Sequence, residues 1–219
     1  MKFRLLFALP LIAILAIACL TCQADKGPAA TKQTKSNFRL HIAKKTKFEQ
    51  PEPDKLLLDT GEMVIESLHG GVIGTPLCQI YVKSGAVILC QVQEGIEYIY
   101  VLSDNSPQST SVIVNKRHAK LDQGVEAIVS DHQANYKELA GSDDIGHRAM
   151  RMHVLGNNLF LLVCEYSLMD ALQHNRLLLE IKNSDAATDK ALAEKLLKTV
   201  AVITSVTGKR GAYSNGGSQ

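Results

Sequence analysis

The chain has 219 residues, 46% of them hydrophobic, with 24 Lys and Arg against 22 Asp and Glu. Enough apolar side chains are present to exclude a disordered or collagen-like polymer, and the near-balance of charge removes the broad basic field that nucleic-acid binders use. Nucleic acid is therefore not an expected partner.

An export signal comes first. Lys2 and Arg4 precede an apolar run over 5–17, broken by Pro10, and Ala16-Ile17-Ala18 leads into Cys19. A membrane-spanning helix needs about 20 continuous apolar residues, so cleavage is the expected fate of this segment. Two cuts compete, one before Cys19 and one after Ala24, with Cys22 and Ala24 as the flanking small residues. Ala16-Ile17-Ala18-Cys19 resembles the bacterial lipobox, although Ala16 stands where Leu is usual. The resemblance implies an acylated Cys19 as the new N-terminus, and Leu20 beside it is similar to lipoproteins sorted to the outer membrane.

The signal is assigned to 1–24 and a flexible linker to 25–37, whose Lys, Thr, Ala, Gly and Pro cannot bury enough surface to order themselves. Loss of Lys2 and Arg4 leaves the processed chain neutral. The local basic excess from Lys26 to Lys47 fits a solvated linker or contact with anionic headgroups. A single domain is expected over 38–206, followed by a disordered glycine-rich tail over 207–219.

Within the domain, alternation at period two predicts strands over 63–68, 77–82, 86–92, 96–102 and 111–115. Ser84-Gly85 supplies a tight turn between the second and third, and Asp104-Asn105-Ser106-Pro107 a longer one between the fourth and fifth. Over 122–140 the spacing of Val125, Ile128, Val129, Tyr136 and Leu139 predicts an amphipathic helix. Strands are expected at 148–155 and 159–166, joined through Gly156-Asn157-Asn158, and at 176–182, with Leu177, Leu179 and Ile181 facing one way. A final helix is capped by Ser184 or Asp185, with Asp189 in its first turn and Leu192, Leu196, Val200 and Ile203 as its buried stripe.

Helices segregated from runs of strands predict an α+β fold, an antiparallel β-sheet with two main helices packed on one face. The order helix, hairpin, final helix is similar to PsbP/Mog1-like periplasmic domains over about 109–206, with the strand at 176–182 as a departure. That resemblance implies a non-enzymatic accessory or binding role.

Cys78, Cys90 and Cys164 remain in the domain after export, in a compartment that permits disulfides. A two-residue turn at Ser84-Gly85 would set Cys78 opposite Gln91, whereas a three-residue loop centred on Ser84 would pair Cys78 with Cys90. A bond there would stabilise by about 3 kcal/mol in the chain-entropy model, and two buried free thiols are the alternative. Cys164 shares its strand face with Phe160, Leu162 and Tyr166 and reads as core. Three cysteines with few histidines nearby predict no metal site.

Leu57-Leu58-Asp59-Thr60-Gly61 resembles the active-site turn of aspartic proteases, with Gly70-Gly71 and Ile73-Gly74 following as in retropepsin-like enzymes. The resemblance implies catalysis by two Asp59 carboxylates sharing a proton in a homodimer. Glu62 departs from the family, which has a small residue after the glycine, and Asp-Thr-Gly is also good turn chemistry, the reading preferred for it. His69-Gly70-Gly71 resembles an esterase oxyanion loop, but no Gly-x-Ser-x-Gly elbow exists to display a nucleophile. His147, Arg151 and His153 share one strand face, either an anion-attracting patch or a solvated polar surface. No P-loop or dinucleotide fingerprint occurs, and no cofactor is expected.

The sequence thus reads as an exported, lipid-anchored envelope protein of the periplasm and outer membrane, with a protein partner there and a non-enzymatic role as an immunity-type inhibitor or assembly factor. A dimeric retropepsin-like protease using Asp59 is the alternative.

Overall fold

The computed structural model describes residues 36–131, 148–155 and 159–213. The chain enters as β1 (Phe38–Ile42) and β2 (Lys47–Glu52), then turns back as β3 (Lys55–Ser67), a strand of 13 residues. β2 runs antiparallel to the first half of β3 and β1 to the second. On the other edge, the first half of β3 pairs in parallel with β4 (Gly71–Gly74), and the second half pairs antiparallel with β6 (Val87–Gln93). β3 therefore belongs to two layers.

The first layer continues from β4 through β5 (Gln79–Val82) and β8 (Thr110–Val114) to β9 (Arg117–Leu121). The second continues from β6 through β7 (Ile96–Ser103), β10 (Val125–Ser130) and β12 (Phe160–Glu165) to β11 (Arg148–Val154). At the far side a short turn carries β9 into β10, and Asn115 Nδ2 donates to the Leu155 carbonyl at 3.0 Å. The twelve strands thus curl around a shared interior.

The crossing between layers lies at Asp59-Thr60-Gly61. Lys47 faces Thr60 while Phe48 faces Leu58, so Asp59 is a bulged residue. Gly61 has φ +107°, and a Cβ there would lie 2.6 Å from Thr46 Cα, so the position requires glycine. The bend changes the phase of the strand. Leu56 and Leu58 point into the interior before it, Met63 and Ile65 after it. They meet Ile73, Ile80 and Val112 from one layer and Ile88, Cys90 and Ile99 from the other, all fully buried. Each such aliphatic side chain contributes about 1.5–3 kcal/mol by leaving water.

The phase change also turns Val64 outward, beside Val87, Leu89 and Leu102 on the back of the second layer. Three helices cover this patch: α1 (Leu168–His174), α2 (Arg176–Lys182) and α3 (Ala187–Tyr213). Their Leu172, Leu178, Ile181, Leu192 and Leu196 complete a second apolar cluster. Ser167 caps α1 by accepting from the Asp170 N–H at 3.2 Å, and Asn175 caps α2 by accepting from the Leu178 N–H at 2.9 Å. Among the described residues no helix is long and apolar enough to cross a membrane.

The expected α+β fold is corrected. Twelve strands against three helices among the described residues make the domain mostly β, and the sheet curls nearly closed around its own core, with the helices covering only part of its outer face. The helix expected over 122–140 is also corrected, because 125–130 is β10 and all six of its residues are buried. A strand buried on both faces loses its alternation, and Val125, Ile128 and Val129 then imitate helical spacing. The remainder, 132–140, lies outside the described residues. The strand expected at 176–182 is α2, whose buried residues are Leu177, Leu178 and Ile181, a helical face with Asn175 as cap.

Ser84-Gly85 joins two layers and closes no hairpin, since β5 pairs with β4 and β8 while β6 pairs with β3 and β7. The direct pairing of Cys78 with Cys90 across a hairpin has no basis in this topology, and both are buried free thiols. Asp104-Asn105-Ser106-Pro107 likewise links the layers, with Asp104 accepting from the Ser106 and Ser109 N–H groups at 3.1 Å each. The pair at 148–155 and 159–166 forms as expected. So does the final helix, with Asp189 in its first turn and Leu192, Leu196 and Val200 buried, although it begins at Ala187, after Ala186 and not directly after Ser184 or Asp185. The signal segment, Cys19, residues 25–35 of the linker, His147 and the side chains of Arg151 and His153 lie outside the described residues.

Gly61→Ala and Gly124→Ala both place a side chain at positive φ, but only the first collides with backbone; at Gly124 (φ +80°) the nearest atom is Ile203 Cδ1 at 3.8 Å. Strain at positive φ costs about 1–3 kcal/mol, so Gly124→Ala is expected to lower the unfolding free energy within that range and Gly61→Ala to exceed it. Urea melts of the two variants check the order.

Candidate functional site

The helices leave part of the second layer's back uncovered. Outward positions on β6 and β7 alternate as Leu89 and Gln91, Tyr98 and Tyr100, with Leu89 opposite Tyr100 and Gln91 opposite Tyr98. Where α1 passes over them, a cavity of about 490 Å³ remains, lined by Leu89, Tyr100, Tyr166 and Ala171 and by the polar groups of Gln91, Ser167, Asp170, His174 and Asn175.

Its aromatic wall is fixed. The Tyr100 ring meets Tyr166 edge to face at 5.2 Å and stacks with Tyr98 at 6.4 Å, and the Tyr166 hydroxyl donates to the Val101 carbonyl at 2.8 Å. Burial first, then the charge of buried Glu126, pushes the phenols of Tyr100 and Tyr166 well above the ordinary tyrosine range. These hydroxyls stay protonated and serve as hydrogen-bonding groups. The polar side is fixed as well, because Glu62 Oε1 accepts from Gln91 Nε2 at 3.1 Å and from Asn175 Nδ2 at 2.6 Å. Glu62 stands just after the bend of β3, so the crossing between layers also places this carboxylate.

Asp59 is elsewhere. It is exposed and borders an open groove of about 700 Å³ on the first layer, together with Lys47, Phe48, Glu49, Leu57 and Pro76. The tripeptide lies within a strand, with Thr60 Oγ1 donating to the Val92 carbonyl at 3.4 Å. Gly70, at φ +87°, donates its N–H to Ser67 Oγ at 3.0 Å and forms the turn into β4.

A second constellation sits inside the sheet. Glu97 faces inward in the same register as Ile99 and Val101 and is 1% exposed. Its carboxylate accepts from Thr75 Oγ1 at 2.5 Å and from the Leu77 N–H at 2.8 Å, pinning the loop between β4 and β5 onto β7. Burial raises the Glu97 carboxyl, with the hydrogen bonds from Thr75, Leu77 and Cys78 opposing it. Burial and then the Glu97 charge push the thiols of Cys78 and Cys90 far up, and burial with Glu126 pushes Cys164 to about 11. None of the three thiols is poised as a nucleophile. Among the described residues no cluster of three or more His, Cys, Asp or Glu is arranged to hold a metal ion.

Sequence reasoning passed over Tyr100, Tyr166 and Glu97. Glu97 left a signal, a carboxylate at an inward position of an otherwise apolar strand. The tyrosines left none, because the cavity exists only once α1 folds over two strands far from it in sequence.

No family model matches the chain, and no curated protein matches it. Two crystal structures of a candidate anti-sigma factor from Parabacteroides distasonis ATCC 8503 are similar over 45% of this chain, with TM-scores of 0.36 and identities of 16% and 15%. The match spans about half the length of those chains, 48% and 47%, too small a likeness to speak to fold or function.

Glu97 makes a pH test. Its raised folded pKa means that the native state binds this proton more tightly than the unfolded chain, whose carboxyl titrates near about 4.3. The corresponding stability is complete below that pH and is lost as pH rises through the folded value. Glu97→Gln removes the titration, so the fall in unfolding free energy above about pH 4.3 is expected to be smaller in the variant. Urea melts of both proteins across that range measure the difference, and parallel profiles contradict it.

Proposed function

We propose that this protein is an exported bacterial envelope component, anchored through an acylated Cys19, whose domain is a non-enzymatic binding module of the inhibitor or assembly-factor kind. The observation that carries the binding role is the cavity under α1. Its volume of about 490 Å³ falls in the range of small-ligand sites, and it combines an aromatic wall with a few fixed polar groups. The ionisable groups around it favour binding over chemistry, since the phenols are held neutral and Glu62 is engaged by two amides. The anchor is supported by the leader, the lipobox-like Ala16-Ile17-Ala18-Cys19 and the polar segment that follows. Leu20 supports delivery to the outer membrane, and a protein partner in the envelope follows from an accessory role.

Radioactive palmitate is expected to label the wild-type protein, which sediments with outer membranes, whereas Cys19→Ser is unlabelled and soluble. A mature N-terminus at Asp25 in the wild type, read by mass spectrometry, overturns the anchor. For the domain, wild type and Asp59→Asn are expected to be equally without peptidase activity at acidic pH. Activity present in the first and lost in the second overturns the non-enzymatic reading.

A further inference from the structure

We infer that the outer face of the first layer, from Tyr81 to the tip of the β8–β9 hairpin, docks on an anionic membrane surface. The inference rests on the envelope reading for the presence of a membrane, and the cavity under α1 plays no part in it.

Strand register lays out the face. Lys120, Ser111, Tyr81 and Val72 stand in one row across β9, β8, β5 and β4, and His118, Ile113, Gln79 and Gly74 stand in the next. Ile73, Ile80 and Val112, which alternate with them, are buried, so both rows point outward. The helices pack on the second layer and leave this face to solvent. Tyr81 is 40% exposed at its centre, with Val72 and Ile113 half-buried beside it.

The charge on this face is segregated. Lys116, Arg117, His118 and Lys120 are all exposed, and among the described residues no carboxylate pairs with any of them. No Asp or Glu occurs between Asp104 and Asp122. Those two bound the hairpin and are engaged locally, Asp104 by the Ser106 and Ser109 N–H groups and Asp122 by the Gln108 N–H at 2.9 Å. The acids of the first layer gather at its other border, where Glu52 opposes Lys55, Glu49 opposes Leu57, and Asp59 follows.

The hairpin tip is an independent sign. Val114 pairs with Arg117, so Asn115 and Lys116 form a two-residue turn, at φ +44° and +67°. Glycine is the favoured second residue of such a turn, because side chains resist that backbone conformation. A lysine there gains nothing for folding, but it carries a cation to the outermost point of the sheet. A planar anionic surface engages several cations at once and admits a tyrosine ring at headgroup level. A small soluble anion would meet one or two of these side chains and leave Tyr81 and Ile113 unused. Residues 20–37 reach about 60 Å when fully extended, long enough to let this face meet the bilayer that holds Cys19.

Lysine acetylation read by mass spectrometry tests the docking on the purified wild-type protein, mixed with vesicles of phosphatidylcholine or of phosphatidylglycerol. Lys116 and Lys120 are expected to react at least about fivefold more slowly on phosphatidylglycerol, with the difference abolished by about 0.5 M salt. Lys182 on α2 and Lys198 on α3 are expected to react alike on both. Equal reaction of Lys120 on the two vesicles overturns the proposal, and protection of Lys198 as strong as that of Lys120 overturns the assignment to this face. Polyglutamate in solution protecting Lys120 as well as the vesicles do overturns the membrane in favour of an acidic protein. The anchor is read separately, by pelleting with phosphatidylcholine: a protein that fails to pellet lacks the anchor, while Lys120 on phosphatidylglycerol still decides the face. Lys116→Gly relieves the left-handed position, so it is expected to raise the thermal melt while lowering the docked-to-undocked ratio at Lys120 about fivefold. An unchanged ratio overturns the role of the hairpin.

Discussion

At Gly61 the backbone of β3 adopts a φ that side chains resist, and the strand leaves one sheet layer for the other while remaining a single continuous element. The bend lets one strand hydrogen-bond to β2 and β4 at one end and to β1 and β6 at the other. It also shifts the alternation by one position, so that Leu56, Leu58, Met63 and Ile65 all reach the same interior. A strand without the slip would send Met63 and Ile65 to the outside and draw Val64 inward.

The outer surface follows from the same slip. Val64 is available to the helices, and Glu62 is available to Gln91 and Asn175, only because both face away from the interior. The junction of α1 and α2 is thereby tied to β3 through a carboxylate and an amide. α1 then spans the tyrosines of the second layer, and the cavity is the space left beneath it. Fold and candidate site are linked through one strand. Inside the sheet, Glu97 performs the corresponding task for the loop between β4 and β5, at the cost of a carboxylate held away from water.

The strands that show one face to the interior and one to solvent or helices were legible in the sequence, because burial on one side imposes period two on residues such as those of 96–102. β10 was not, since burial on both faces erases the alternation. β2 was not either: all six of its residues are exposed, Pro51 lies within it, and only its pairing with β3 makes it a strand. In α2 three leucines in a row and an isoleucine satisfy period two and period 3.6 alike, and the Asn175 cap decides between them. The layer to which each strand belongs is a long-range matter. Ser84-Gly85 and Asp104-Pro107 are correct turns locally, yet both cross between layers. The Asp-Thr-Gly tripeptide, read in the sequence as turn chemistry, lies inside β3, where Gly61 at positive φ bends one strand between two sheets.

Native-state hydrogen exchange along β3 tests this account most directly. If the bent strand is one structural unit shared by both layers, the protected amides of 55–60 and 61–67 exchange through a single opening whose free energy equals that of global unfolding. A lower-energy opening of 55–60 with β2 and β4, while 61–67 remains protected, would contradict it.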